Sequence, residues 1–415
     1  MIRRTVRDVP LVTIALLLSL YGIAIVFSAG QTDVPTLAHH VWRNQIVWFA
    51  LGLIGAYIVS RASVRLLEWA AWPAYLFTIV LLVVTLVIGQ GFGTGASSKS
   101  WLVIGGVRLG QPAELAKLTV VLMLARVLAS RREAPQSLLQ LWLPALVVAV
   151  PWLLIMAQPD LGTGLVFIGI FFAMLFWAGV PWPLLILIAS PGVSLILSFS
   201  TFWWGGWFLL LLALVLWYRP FLAEGITLVV ANVTTGVLAP ILWDSMAPYQ
   251  QKRLLVFLNP NIDPRDAGYH VIQSRVAIGS GGWFGNGYLE GTQKRLAFLP
   301  EQHTDFIFAV VGEELGFIGV SVALVLFLLL FLRIVRVAQR SNEPFSGLVA
   351  FGLLASWLVH VIVNVGMTLN LMPITGIPLP FFSYGGSFMM ASWLAIGILL
   401  RISSEGRGQP GQLGI

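Results

Sequence analysis

The chain has 415 residues, of which 58% are hydrophobic and only 10% are charged. An ordinary soluble domain carries about 25% charged residues, so a soluble globule of this length could not cover its surface with so few. This composition excludes a cytosolic enzyme, a disordered chain and a small secreted scaffold, and it indicates lipid as the main solvent. The absence of cysteine from the sequence excludes disulfides, cysteine-ligated zinc and a thiol nucleophile.

Twelve apolar runs, most of them of roughly 20 residues, are predicted to cross a hydrocarbon core about 30 Å thick, and the short second run is expected to begin earlier. They lie at 11–29, 46–60, 70–88, 113–129, 138–156, 162–177, 184–200, 203–218, 226–243, 306–332, 347–369 and 386–400. A chain that spans lipid must be helical or form a closed barrel, and continuous apolar runs without two-residue alternation favour helices. We therefore predict an all-α polytopic membrane protein with about twelve spans and a single integral membrane domain, residues 1–415.

The positions of Lys and Arg explain the net charge of +7 without a nucleic-acid partner. Thirteen of the 24 fall in segments that are cytoplasmic if the chain starts inside, namely Arg3, Arg4, Arg7, Arg61, Arg65, Arg131, Arg132, Arg219, Arg333, Arg336, Arg340, Arg401 and Arg407. The short outer loops carry only Arg43, Lys99 and Arg108. This bias predicts that both termini are cytoplasmic. The tail 403–415, which is rich in Gly and Gln, is predicted to be disordered.

The segment 247–316, on the outer side, is predicted to be a long polar loop. Long loops in compact proteins are usually functional, although a solvated cap would explain the composition equally well. Two prolines in Asn259-Pro-Asn-Ile-Asp263-Pro restrict the backbone around Asp263 and predict a stiff turn. Asp263 is either a turn-forming residue or a general base held at the membrane surface.

Two further motifs of this loop are candidate binding sites. The glycine cluster Gly279–Gly287 has no preceding strand and no following Gly-Lys-Ser/Thr, so a flexible loop is favoured over a phosphate-binding loop. Glu301, His303 and Asp305 alternate along the chain and could ligate a divalent cation. Because a second histidine is missing, this spacing is weak evidence for a metal site.

Ionisable residues inside predicted spans are costly and tend to be paired or functional. Glu114 and Lys117 lie three residues apart on one helix face, so they form either a self-neutralising pair or the polar wall of a cavity. His360 and Asn364, four residues apart, either line the same cavity or form hydrogen bonds between helices. Asp160 precedes the sixth span and is predicted to cap its N-terminus.

Five ordered motifs, at 99–117, 158–162, 259–274, 291–308 and 376–386, carry a family resemblance that extends over nearly the whole chain. Together they resemble the SEDS family (shape, elongation, division and sporulation) and, within it, the RodA branch. The resemblance implies a peptidoglycan glycosyltransferase that polymerises lipid II during cell-wall elongation and releases polyprenyl pyrophosphate. It further implies a location in the bacterial cytoplasmic membrane, with the active site on the outer face.

The resemblance also implies partners, and it assigns site residues. The partners are lipid II, the nascent glycan strand, membrane lipids and a class B penicillin-binding protein, which is a transpeptidase. The family's essential loop aspartate corresponds to Asp263, its important tryptophan to Trp101, and its cavity-facing acid and lysine to Glu114 and Lys117. The remaining substrate-cavity residues are Asp160, Tyr269, His270, Gln273, Ser274, His303, Asp305, Ser383 and Tyr384.

The sequence leaves two features open. The departing pyrophosphate could be stabilised by Lys117, by loop arginines or by a divalent cation such as Mg²⁺ or Mn²⁺, so a metal requirement is undecided. The family has ten spans, so residues 183–220 are predicted to form an extra helical pair.

The alternative function is a transporter that flips lipid II or another polyprenyl-linked sugar. A transporter concentrates polar groups near the bilayer midplane at broken helices, whereas this sequence gathers them in an outer loop. A structural scaffold, the third interpretation, would need no ionisable cluster. The glycosyltransferase is therefore the favoured prediction.

Overall fold

The computed structural model describes residues 8–34, 36–91, 100–104, 107–246, 248–263, 267–299 and 301–406. This described part of the chain is mainly helical. Its helices are α1 (Val9–Gly30), α2 (Val41–Ser60), α3 (Val64–Ile88), α4 (Pro112–Ala129), α5 (Trp142–Met156), α6 (Leu161–Trp177), α7 (Trp182–Leu197), α8 (Thr201–Tyr218), α9 (Leu222–Ser245), α10 (Pro248–Leu258), α11 (Ala267–Gly281), α12 (Thr292–Arg295), α13 (Ile307–Gln339), α14 (Pro344–Thr368) and α15 (Gly386–Gly406).

Each of the twelve predicted spans coincides with one long helix, and their ends agree to within seven residues. By length and composition, eight segments of the described chain can cross a membrane: Val9–Gly30, Val64–Ile88, Leu139–Met156, Thr201–Tyr218, Leu222–Ser245, Ile307–Gln339, Pro344–Thr368 and Gly386–Glu405. Helices α6 and α7 are apolar but shorter. Helices α2 and α4 carry more polar side chains, including Glu114 and Lys117 in α4. The prediction of a polytopic helical membrane protein is confirmed.

Helix α14 lies at the centre of the bundle and packs against α4, α6 and α13. Gly352 permits this approach, because a Cβ atom there would lie 2.7 Å from Met174 Sδ and 2.8 Å from Val121 Cγ1. Helices in lipid associate through close packing rather than through the hydrophobic effect, so a small residue at such a crossing stabilises it. The crossing brings Lys117 of α4 next to His360 of α14.

A short antiparallel hairpin, which the sequence analysis did not predict, precedes α4. Strand β1 (Leu102–Ile104) pairs with β2 (Val107–Gly110), and a backbone bridge joins Gln90 to Trp101. At the end of the hairpin, the backbone N–H of Gln111 donates a hydrogen bond to Ser387 Oγ at 3.1 Å. The hairpin therefore fixes Trp101 beside the end of α3 and leads directly into the helix that carries Glu114 and Lys117.

The predicted long loop, residues 247–316, is largely helical where the structure describes it, since its first part, 247–305, contains α10, α11 and α12. Its end was placed wrongly, because Glu313 and Glu314 lie within α13 and are fully buried. The expectation of a flexible glycine loop is also wrong. A Cβ atom at Gly285 would lie 2.0 Å from the Glu314 carbonyl oxygen, so this turn packs tightly against α13.

Helices α7 and α8, which correspond to the predicted extra pair at 183–220, pack with α9 around buried leucines. Asn232 of α9 accepts a hydrogen bond from Ser194 Oγ at 2.6 Å and donates one to Ser190 Oγ at 2.7 Å. These buried polar contacts connect α7 to α9 within the bundle. That the pair is additional to the family's spans stays a prediction.

The predicted disordered tail, 403–415, begins too early. Helix α15 continues to Gly406, and residues 407–415 lie outside the described residues. Ser403 Oγ donates to Asp8 at 2.7 Å, and Arg333 Nη2 lies 2.8 Å from the same carboxylate. Burial would raise the pKa of Asp8, but the hydrogen bonds from Arg333 and Ser403 outweigh it and hold that pKa below its usual value. This contact joins the start of α1 to α13 and α15.

Candidate active site

Asp263 ends a tight turn between α10 and α11. Asn259 Oδ1 accepts a hydrogen bond from the Asn261 N–H at 3.1 Å, and the Gly268 N–H donates to the Asp263 carbonyl oxygen at 2.9 Å. A Cβ atom at Gly268 would lie 2.2 Å from the Pro260 carbonyl oxygen, so only glycine fits this start of α11. These contacts support the predicted stiff turn; Pro264, the second of its two prolines, lies outside the described residues.

The Asp263 carboxylate faces a lysine of α10. Lys252 Nζ lies 3.1 Å from Asp263 Oδ2, and the two side chains are 52% and 23% exposed. A half-exposed pair of this kind is weak and can be separated by a bound substrate at low cost. Asp263 is thus a carboxylate on a fixed backbone with an accessible side, which is what a general base requires.

A buried charge group lies inside the bundle, where α4 crosses α14. Lys117 Nζ lies 2.8 Å from a carboxylate oxygen of Glu114 and 2.8 Å from His360 Nε2. His360 Nδ1 lies 2.8 Å from the Pro378 carbonyl oxygen, which assigns the proton to Nδ1 and leaves Nε2 to accept from Lys117. The predicted pairing of Glu114 with Lys117 is confirmed, and His360 joins them.

Asn364, predicted either to line the cavity with His360 or to form hydrogen bonds between helices, binds two segments that lie outside the helices. Its Nδ2 donates to the carbonyl oxygens of Asp305 at 2.9 Å and Ile377 at 2.7 Å. The 376–386 motif and the residues that precede α13 are therefore tied to α14.

Asp160 caps α6, as predicted, and also connects two polar groups. Its Oδ1 accepts from the Thr163 N–H at 3.0 Å, and its Oδ2 accepts from Thr163 Oγ1 at 2.9 Å and Gln111 Nε2 at 3.2 Å. Gln111 directly precedes α4, one turn before Glu114. Asp160 therefore extends the polar surface from the buried group at Lys117 toward the segment before α13.

The Glu301–Asp305 turn contributes further titratable groups to this surface. Burial, together with the charges of Glu301 and Asp160, raises the pKa of Asp305 to about 7, against the opposing charge of Arg253. Burial lowers the pKa of His303, against the opposing effect of Glu301. Arg253 follows Lys252 on α10. This one helix therefore carries two cations, Lys252 beside Asp263 and Arg253 near Asp305.

Three of the predicted cavity residues form hydrogen bonds between neighbouring segments. Ser274 Oγ donates to the Thr368 carbonyl oxygen at 2.9 Å, and Ser383 Oγ donates to the Thr304 carbonyl oxygen at 2.6 Å. The Tyr384 N–H donates to the His303 carbonyl oxygen at 2.9 Å. These bonds tie α11 and the 376–386 motif to their neighbours; that Ser274, Ser383 and Tyr384 line the substrate cavity stays a prediction.

The remaining predicted residues lie on α11 and in the hairpin. The His270 ring stacks on Phe306, with ring centroids 5.7 Å apart. Tyr269 and Gln273 are partly buried on the same helix, and Trp101 is partly buried at the base of the hairpin. Their roles in substrate binding stay predictions.

A fully buried group of charged side chains on α12 and α13 was not predicted from the sequence. Lys294 Nζ lies 2.8 Å from Glu314 Oε1, and Ser28 Oγ donates to the same carboxylate at 2.6 Å. Glu313 accepts from the N–H groups of Gln293 at 2.6 Å and Lys294 at 3.2 Å. The rule for charges within spans would have flagged the two glutamates, whereas nothing in the sequence marks Lys294.

A metal site at Glu301, His303 and Asp305 finds no support in the geometry. Among the described residues, no three His, Asp or Glu side chains are grouped so that they could hold a metal ion.

The raised pKa of Asp305 predicts a pH dependence of stability. In an unfolded chain this carboxyl titrates near about 4, so between about pH 4 and 7 the folded protein holds a proton that the unfolded chain releases. Stability should therefore fall as pH rises through this window. We expect Asp305→Asn to gain stability relative to the unmodified protein between pH 5 and pH 8, measured as apparent melting temperature in detergent. A difference that stays constant with pH would contradict this.

The chain is similar to known proteins over nearly its whole length. The family model FTSW_RODA_SPOVE, of cell cycle proteins, matches residues 9–207 and 205–408. The peptidoglycan glycosyltransferase MrdB of Escherichia coli K12 is 35% identical over 402 residues, which cover 96% of this chain and 94% of that protein. The peptidoglycan glycosyltransferase RodA of Treponema pallidum is 34% identical and is covered over 98% of its length, against 96% of this chain.

Solved structures give the same assignment. A chain from a peptidoglycan synthase complex, described for its coordination of polymerization and crosslinking, is 28% identical with a TM-score of 0.72, covering 97% of this chain and 99% of that chain. The crystal structure of the rod shape determining protein RodA of Thermus thermophilus is 27% identical with a TM-score of 0.63, covering 98% and 99%. The predicted SEDS resemblance is thus confirmed, and the chain belongs to the FTSW_RODA_SPOVE family of cell cycle proteins.

Proposed function

We propose that this protein is a peptidoglycan glycosyltransferase that polymerises lipid II into glycan strands during cell-wall elongation. The observation that carries the proposal is the similarity over 96% of the chain to relatives named for this activity. The arrangement of Asp263 supports it, because a carboxylate on a stiff turn with an exposed side is suited to act as a base.

In the proposed reaction, Asp263 accepts the proton of the acceptor sugar's 4-hydroxyl. The hydroxyl oxygen then bonds to C1 of the donor sugar, while the bond from C1 to the diphosphate oxygen breaks. The diphosphate departs with that electron pair, still attached to its polyprenyl chain. A base of this kind contributes about 100-fold to 10,000-fold to a rate.

The negative charge that develops on the diphosphate needs a cation nearby. Lys117 is held by Glu114 and His360, so its position is fixed before the substrate binds, which lowers the cost of reorganisation. Lys252 and Arg253 of α10 offer further positive charge beside Asp263 and Asp305. A divalent cation carried in by the substrate diphosphate is an additional source, which a chelator arm of the assay below tests.

We further propose that the protein lies in the bacterial cytoplasmic membrane with Asp263 on the outer face. The positive-inside bias of the sequence supports this orientation. A class B penicillin-binding protein is the proposed partner, because a structural neighbour belongs to a complex that coordinates polymerization with crosslinking.

The test is polymerisation by the purified protein with lipid II in detergent, with and without this partner. We expect glycan strands to form when the partner is present. The yield of strands without the partner shows whether the protein also works alone. A parallel arm with EDTA shows whether a divalent cation is needed. No polymer under any of these conditions, together with lipid II flipping in vesicles, would favour the transporter instead.

A further inference from the structure

The glycine-rich turn between α11 and α12 runs down alongside α1. Phe284 and Tyr21 line the same cavity of about 330 Å³, and the Tyr288 hydroxyl donates to the Ala24 carbonyl oxygen at 2.8 Å. Tyr21 and Ala24 lie about 13 Å and 9 Å along the helix axis from Gly30, the end of α1. Since one leaflet contributes about 15 Å of hydrocarbon, the turn reaches well into the apolar layer.

Non-helical backbone at this depth is stable only when its polar groups have partners in the protein. Helix α13 supplies them, because its backbone breaks at Gly316, where φ is 61° and ψ is −159°. The N–H groups of Phe317 and Ile318 donate to the carbonyl oxygens of Gly282 at 2.9 Å and Trp283 at 3.2 Å. The N–H groups that follow the break in α13 are therefore paired with carbonyl groups of the turn.

The second half of the turn is held in the same way. The N–H groups of Asn286 and Gly287 donate to the carbonyl oxygens of Glu313 and Glu314, both at 3.0 Å. Gly287 has a φ of 107°, a conformation that favours glycine. The backbone is thus fixed from both sides, and the tip of the turn cannot withdraw from α13 without losing these bonds.

The tip of this turn presents large apolar side chains outward. Trp283 is 68% exposed and Phe284 is 81% exposed. Phe317 and Ile318 of α13, which are also exposed, continue the same surface, and the rings of Trp283 and Phe317 are in edge contact at 5.1 Å. The tip is therefore continuous with the surface that α13 presents to lipid.

We propose that residues 281–290 form a re-entrant segment whose Trp283–Phe284 tip inserts among phospholipid acyl chains. The leaflet concerned is the one that holds the Gly30 end of α1, and the cavity beside Phe284 takes up part of an acyl chain. Insertion fixes the depth of α11 and of the Glu301–Asp305 turn relative to the headgroups. The proposal rests on the membrane-spanning fold and not on the proposed catalytic activity.

The absence of cysteine from the sequence makes a depth measurement direct. The full chain carrying Phe284→Cys, labelled with the fluorophore NBD, is reconstituted into phosphatidylethanolamine and phosphatidylglycerol vesicles. We expect several-fold stronger quenching by nitroxide groups on the acyl chains than by aqueous iodide, with the emission shifted to shorter wavelength. Trp283→Cys should behave alike. Both side chains are largely exposed, so neither change disturbs the core.

Glu290→Cys serves as the matched control on the same segment. The Glu290 side chain is 65% exposed and lies 3.4 Å from Arg295, so it should be reached by iodide and spared by the acyl-chain nitroxides. Equal quenching of positions 284 and 290 by iodide would overturn the proposal. So would protection of position 284 from both quenchers, because that result would mean that protein covers the tip.

Discussion

Asp263→Asn is expected to slow polymerisation of lipid II by about 100-fold to 10,000-fold, because asparagine cannot accept the proton of the attacking hydroxyl. The substitution keeps the shape of the side chain and leaves the Gly268 N–H bonded to the backbone carbonyl oxygen of residue 263. The ion pair that it removes, with Lys252, is half-exposed and contributes little to stability. The loss should therefore appear in the yield of glycan strands from purified protein and partner, and not in protein recovery.

Asp33→Asn is the matched control for this experiment. Asp33 is a second carboxylate outside the spans, 52% exposed, and its Oδ2 lies 3.3 Å from Arg295. Its replacement should leave the polymerisation rate within roughly twofold of the unmodified protein, because it removes only an exposed ion pair. A folded Asp263→Asn protein that polymerises lipid II at the normal rate would remove Asp263 from the role of base. Asp305 would then be the next carboxylate to test.

The helices could be predicted from sequence because lipid imposes a simple requirement on them. A run of about 20 apolar residues has few alternatives to a spanning helix, which is why all twelve predicted spans have counterparts in the structure. The pairing of Glu114 with Lys117 was predictable for a similar reason, since residues three apart meet on one helix face. The cap at Asp160 follows from a local rule of the same kind.

Contacts between distant segments could not be predicted in this way. The approach of Lys117 to His360 depends on the crossing of α4 and α14, and the spacing of residues along the chain does not fix that crossing. The helices α10 and α11 were missed because short polar helices lack the strong apolar pattern of a span. The glycine turn was expected to be flexible because its partners, the backbone groups around Gly316, lie about thirty residues further along the chain.

The buried ion pair of Lys294 and Glu314 also joins segments that are distant along the chain. We expect the loss of either charge alone to reduce stability strongly. Both side chains are fully buried, with Nζ and Oε1 2.8 Å apart. Lys294→Met would leave the Glu314 carboxylate with Ser28 Oγ but without its countercharge. Removing one member of a buried ion pair costs about 3–5 kcal/mol, because the remaining charge stays desolvated. The apparent melting temperature in detergent should therefore fall markedly.

The double variant Lys294→Met/Glu314→Gln separates this explanation from a simple packing defect. With the charge at 314 removed, Ser28 still has an amide partner, so more than half of the lost stability should return. Arg295→Met, the neighbouring residue on α12, is the control, because its ion pairs with Asp33 and Glu290 are exposed and contribute at most about 1 kcal/mol. If the double variant melts no higher than Lys294→Met, the cost lies in packing around Lys294 and not in an unpaired charge at Glu314.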